Sequence, residues 1–181
     1  MTEWLRRFHD GKFEHNGQGR HVLHEMIEQY RSKRELFNKE LFEEAISLTN
    51  IHGGSLEVQT TGTRPPPTTP FVMLCCQAFK APGCKPDDYV DCIKLMIQKG
   101  ADPNATDQRG NTGLHLAVGS QNIAPIEYFI QVADSQGQKP REFTNGQFAW
   151  NARNEDDWNL LNMATGDRGG AGKCKPIVDL L

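Results

Sequence analysis

Residues 99–117, KGADPNATDQRGNTGLHLA, constrain this chain more than any other stretch, because they encode a helix end, a tight turn and a new helix start in immediate succession. Gly100 follows the apolar run DCIKLMIQ and supplies the positive-φ residue on which a helix ends. Asp107 and Gly110 have the chemistry of a tight turn, so the backbone reverses within a few residues. Thr112 follows as an N-cap, its hydroxyl accepting from backbone N–H groups of the next helix. Leu114, Ala117 and Val118 then share one helical face. His115, three residues after Thr112, is placed to bond back to that first turn, which gives it a structural task.

The same pattern recurs along the chain. Residues 103–112, PNATDQRGNT, align without a gap on 150–159, WNARNEDDWN, after which Leu161, Asn162 and Ala164 take the places of Leu114, His115 and Ala117. Upstream, TPFVML (69–74) repeats the Thr-led start, and Gly19, Leu23, His24 and Met26 repeat the Gly, Leu, His and small-apolar positions. GNTGLHLA resembles the TPLHxA signature of the ankyrin repeat family, with Gly113 where proline is usual and a preset helical dihedral therefore lost. The equivalent cap positions are His21, Thr69, Thr112 and Asn159, separated by 48, 43 and 47 residues. The family's period is about 33, so each repeat carries an insertion of roughly ten to fifteen residues.

The resemblance implies an all-α ankyrin-repeat solenoid of about four helix-turn-helix repeats with inserted loops. The expected division is a capping segment at 1–14, which holds the stripe Trp4, Leu5 and Phe8, then repeats at 15–55, 56–100, 101–147 and 148–181. The second helices are expected at 35–46, 89–97, 125–130 and 176–181, two of them opening with proline. Gly-, Pro- and polar-rich stretches between them read as surface loops. The chain stops inside the fourth second helix, with Ile177, Val178, Leu180 and Leu181 lacking a polar cap, so that repeat reads as incomplete.

Composition bounds the function. Of 181 residues, 37% are hydrophobic and 24% charged, with a net charge of −3, which suits one domain with an ordinary core. Near-balanced charge argues against nucleic acid as a partner. The longest apolar stretch, FVMLCCQAF, is too short to span a bilayer, and the first residues lack a secretory core, so no membrane role is expected. Five cysteines without paired spacing point to reduced thiols and a cytoplasmic location.

Three stretches carry the look of other chemistry. Cys75, Cys76, Cys84 and Cys92, with six histidines, contain the residue types of a thiol nucleophile or a zinc site. Neither CxxC nor HxxxH occurs, and the repeat alignment sends Cys75 to a small, alanine-like slot and Cys92 to an aliphatic core slot, where cysteine acts as a small hydrophobe. The glycine-rich stretch 166–174 resembles a phosphate-binding loop, but Asp167 and Cys174 stand where glycine and Ser/Thr are needed, and it follows a helix. RPPPTTP (64–70) has the spacing of a polyproline-II ligand, yet Pro70 is required as a helix start. No catalytic residue, metal or cofactor is therefore expected.

What remains is a binding scaffold, and its turns and concave helix faces are where a partner protein is expected to dock. The candidate contacts are Gln18 and Arg20 in the first repeat, Gln108, Arg109 and Asn111 in the third, and Glu155, Asp156 and Trp158 in the fourth. Trp158 is the foremost of these, an indole in a variable slot that the repeat's own packing does not require. Packing beneath the 134–147 insertion is the competing reading for it. The resemblance extends to the heavily inserted repeats of effectors that intracellular bacteria deliver into host cells, which implies a host-cytosol location. It also allows a substrate-recruiting half of a larger enzyme whose catalytic part lies beyond residue 181. Asn104 occupies the turn position at which ankyrin asparagines are hydroxylated, although the usual flanking residues are replaced by Asp102 and Pro103.

Overall fold

The computed structural model describes residues 21–51, 55–60, 67–135 and 149–165. Seven helices fall within them: α1 (Val22–Arg31), α2 (Lys39–Ile51), α3 (Pro70–Cys76), α4 (Pro86–Gln98), α5 (Gly113–Gly119), α6 (Ile123–Ser135) and α7 (Leu160–Thr165). The first helices α1, α3, α5 and α7 pack side by side in one row, and α2, α4 and α6 form a second row behind them. This is an all-α repeat solenoid, in which α1–α6 pack as three helix pairs and each helix also packs against its counterpart in the neighbouring repeat. Among the described residues the only β-type pairing is an isolated bridge between Thr106 and Thr112, which closes the third turn.

All four N-caps sit at the aligned positions. His21 Nδ1 accepts from Leu23 N (3.4 Å), Thr69 Oγ1 from Val72 N (3.2 Å), Thr112 Oγ1 from His115 N (3.4 Å) and Asn159 Oδ1 from Asn162 N (2.9 Å). Each satisfies an amide that has no partner within its helix. Gly100 and Gly110 have φ of +100° and +71°, which accounts for glycine at the helix end and in the turn.

The second helices depart from their expected limits, for local reasons. The first begins at Lys39 rather than residue 35, because Asn38 Oδ1 caps Leu41 N at 2.7 Å and leaves 35–38 outside the helix. The next begins at Pro86 rather than residue 89, with proline in the first turn and Lys85 N donating to Asp88 Oδ2 at 2.9 Å. Ile123 opens the third, with Pro125 tolerated in its first turn, where backbone donors lack helical acceptors. Pro70 is a buried helix start, which removes the polyproline-II reading for its end of that stretch. The proposed capping segment, Gln18, Arg20, the 166–174 stretch and the helix expected at 176–181 lie outside the described residues.

The core runs between the two rows. Tyr30, Phe37, Phe42, Phe79 and Tyr89 form a chain of edge-on and tilted ring pairs with centroids 5.2–6.5 Å apart, binding the first two repeats. Such pairs each add about 0.5–1.5 kcal/mol beyond area burial. Tyr89 Oη donates to Leu74 O (2.5 Å) and accepts from Asn122 Nδ2 (2.8 Å), so a buried phenol bridges the second and third repeats.

The glycine at 113 has its own explanation. A Cβ there would meet Cys75 Sγ at 2.9 Å and Cys75 Cβ at 3.2 Å, so α3 and α5 approach too closely for a side chain. Cys75 occupies the slot of Val118, one residue past the alanine slot, which Leu74 fills. The extra bulk on α3 is accommodated by the missing Cβ on α5. We expect Gly113→Ala to destabilise the fold by about 1–3 kcal/mol, and Cys75→Ala to cost less in a Gly113→Ala background than in the wild type. Chemical denaturation of the four proteins measures this coupling; strictly additive changes would contradict the contact.

Candidate functional site

The site is built from two turns stacked across a repeat boundary. In the third repeat, Asp107 Oδ1 accepts from Arg109 N (2.8 Å) and Asn111 N (2.9 Å), while Oδ2 accepts from Asn111 Nδ2 (3.1 Å). In the fourth repeat Asn154 performs the same task, its Oδ1 accepting from Asp156 N (3.1 Å) and Trp158 N (3.0 Å). Both are side chains that mimic a backbone turn. Asp157 takes the left-handed conformation of Gly110, with φ of +61°, and its carboxylate pairs with Arg153 at 3.1 Å.

The two turns are then joined. Glu155 N donates to Arg109 O (2.9 Å) and Asn154 Nδ2 donates to Asn111 Oδ1 (2.8 Å). A Cβ on Gly110 would lie 3.3 Å from Asn154 Cα, so the two turns meet closely at this glycine, whose φ is +71°. Gln108 N continues the row backwards to Pro67 O (3.2 Å), and Asn104 Oδ1 accepts from Ala149 N (2.6 Å). The turn asparagine at 104 is therefore an inter-repeat strut.

His115 ties this row to the helices. Thr112 N donates to its Nδ1 (3.2 Å), which must therefore be unprotonated, so Nε2 carries the hydrogen and donates to Trp158 O (3.1 Å). His24 repeats the inter-repeat contact, its Nε2 lying 2.8 Å from Thr68 O. In both cases the carbonyl belongs to the residue before the next repeat's N-cap. Both rings are fully buried, as the structural reading of these histidines requires.

An open cleft of about 400 Å³ lies between the joined turns, lined by Arg109, Asn111, Asn154, Asp156, Trp158 and Met163. Four of the expected contact residues, Arg109, Asn111, Asp156 and Trp158, thus converge. Gln108 and Glu155 are exposed on the same turns but outside the lining, and Arg20 is beyond the described residues. Asn111 differs from expectation: it is 7% exposed, because its amide is engaged by Asp107 on one side and Asn154 on the other. Trp158 is half-buried and lines the cleft. Asn154 and Met163 were not among the expected contacts. Asn154 was legible as the aligned counterpart of Asp107, whereas Met163 reaches the cleft only through the packing of α7 on α5, where its Cε would touch a Cβ on Gly119 at 3.1 Å.

Three of the described cysteines sit in surroundings that disfavour the thiolate. Burial pushes the Cys75 thiol far up, Cys92 to about 12 and Cys84 to about 11, so these three are thiols at neutral pH and poor nucleophiles. Among the described residues, no group of three His, Cys, Asp or Glu side chains could hold a metal ion, and no helix is long and apolar enough to cross a membrane.

An array of stacked helix pairs with turns joined along one edge defines a repeat scaffold. Residues 75–130 match the family model for ankyrin repeats (many copies), and that stretch carries the ankyrin-repeat pattern. Its relatives include an ankyrin repeat protein of Acanthamoeba polyphaga mimivirus, 31% identical over 75 residues, covering 38% of this chain and 10% of that one. A glycerophosphocholine phosphodiesterase of Schizosaccharomyces pombe is 37% identical over 60 residues, covering 33% of this chain and 4% of that protein. The chain therefore matches only a small part of each curated relative. Among solved structures, the ankyrin repeat domain of Bcl-3, a member of the IκB family, superposes with a TM-score of 0.61 at 19% identity, over 91% of this chain and 56% of that one. That likeness is one of fold.

His115 gives the boundary a pH dependence. Desolvation by burial lowers its pKa below 6.5, the hydrogen bonds to the Trp158 and Ala152 carbonyls opposing the shift. The unfolded chain consequently takes up this proton at higher pH than the folded one. Its stabilising contribution is complete above about pH 6.5 and declines as pH falls below that value. Thermal unfolding should show the wild type's advantage over His115→Asn shrinking from pH 7.5 towards pH 5, asparagine being the residue that already fills this slot at Asn162. An advantage independent of pH would contradict the neutral, buried ring.

Proposed function

We propose that this chain docks a partner protein at the cleft between its third and fourth turns, centred on Trp158. Ankyrin repeats are general protein-binding modules, and stacked repeats present their turns and first helices as one continuous surface. The observation that carries the proposal is the division of labour in the cleft. Asn111 and Asn154 are spent on holding the turns together, whereas the Arg109 guanidinium, the Asp156 carboxylate and the Trp158 indole have no hydrogen bond or ion pair among the described residues. An indole on a rigid wall, flanked by unpaired charges of both signs, has the makings of an interface hot spot.

A second reading has one observation in its favour. A relative whose name denotes an enzyme, the fission-yeast phosphodiesterase, carries the matching stretch as 4% of its length. Repeats of this kind can serve as the recruiting part of a larger enzyme, in which case the same cleft would select the substrate protein.

The experiment exploits the fact that Trp158 is held by its backbone. Its N–H and C=O bond to Asn154 and His115, so Trp158→Ala removes the indole and leaves the turn stitched. Affinity capture from lysate should lose its specific partner with Trp158→Ala, a loss of about 2 kcal/mol or more for a hot spot, and weaken with Arg109→Ala. Thermal melting should remain close to wild type in both. Unchanged capture by both variants would remove the cleft from the binding surface.

A further inference from the structure

The cleft's chemistry points to more than an unspecified protein. Trp158, Met163 and Asp156 line the cleft together, bringing an indole, a thioether and a carboxylate that has no partner of its own among the described residues. An indole face with an adjacent carboxylate is a receptor for a cationic side chain, which gains both cation–π attraction and an ion pair there. Arginine suits it better than lysine, because a planar guanidinium stacks on the ring while its edge forks onto the carboxylate.

Position in the repeats supplies a second constraint. Arg109 and Asp156 fill the same slot of successive turns, and Gln108 corresponds to Glu155, so the rim is positive at the third turn and negative at the fourth. A lone cation entering the cleft meets Arg109 as a like charge. A cation followed by an acidic residue meets an opposite charge at each turn. The amides that would otherwise read polar groups, those of Asn111 and Asn154, are engaged with each other and with the turns.

We infer that the cleft recognises an arginine paired with a neighbouring acidic residue on an extended segment of the partner protein, the guanidinium lying on Trp158 against Asp156 and the acid against Arg109. This rests on the docking proposal above and specifies its chemistry.

The test follows the Trp158 indole N–H resonance of the ¹⁵N-labelled chain, assigned by its disappearance in Trp158→Phe. Three probes are titrated: acetyl-Gly-Arg-Glu-Gly-amide, acetyl-Gly-Lys-Glu-Gly-amide and acetyl-Gly-Glu-Glu-Gly-amide. The arginine–glutamate probe should move the resonance saturably with a Kd of about 1–10 mM, as befits so few contacts. The lysine probe should bind more weakly, and the all-acid probe should leave the resonance in place. Asp156→Asn should weaken the arginine–glutamate probe by about threefold, the effect of one exposed ion pair. Equal shifts from all three probes, or no shift from the first at about 20 mM, well above that Kd, would overturn the inference. If Trp158→Ala abolishes lysate capture while the first probe fails, the docking proposal stands and this account of its chemistry falls.

Discussion

The hydrogen bonds that cross from one repeat to the next are the constraint on which the rest of this structure depends. Among the described residues no first helix exceeds ten residues, and helices of that length are marginal alone. They persist because each is capped at one end and tied to its neighbour. Side chains reaching the next repeat fix the register: His24 at Thr68, His115 at Trp158, Asn154 at Asn111. The second repeat places Val72 in the histidine slot and is joined to the third differently. There Tyr89 and Asn122 link the carbonyls of Leu74 and Cys75, Ser120 Oγ donates to the Cys76 carbonyl, and the missing Cβ of Gly113 brings α3 and α5 together. That boundary replaces the histidine bridge with tyrosine, asparagine and serine hydrogen bonds and with close packing.

The same ties shape the surface. The cleft exists because two turns of identical construction are stacked in register, with the amide of Glu155 on the carbonyl of Arg109. Polar side chains with matching partners are consumed in that stacking. Those without partners, Arg109, Asp156 and the indole of Trp158, are left facing one opening. A scaffold of this kind separates the two tasks by slot: Asp107 and Asn154 build, while Arg109 and Asp156, two residues further on, are released for contact.

Much of this was legible in the sequence, and the exceptions follow a physical pattern. All four N-caps, the helix-ending Gly100 and the turn at Gly110 rest on local chemistry and could be read from a few adjacent residues. The sequence puts the start of α2 too early, because Asn38 is an isolated cap without a repeat-wide echo, and that of α4 too late, because Pro86 reads as loop. Asn111 appeared exposed because its slot in the fourth repeat holds a tryptophan. Its burial depends on Asn154, 43 residues away, and no local pattern reports such a partner. Gly113 seemed a loss of helix propensity until the side chain of Cys75 was seen to occupy the space.

Residue-resolved amide hydrogen exchange on the intact chain tests the central claim, that the third and fourth turns are one stacked unit, most directly. The amides of Asn111, Glu155 and Trp158 should exchange as slowly as those inside α5, and Asn154→Ala should release all three together while the α1 amides stay protected. Exchange of these amides in the wild type at the rate of an open loop would contradict the account.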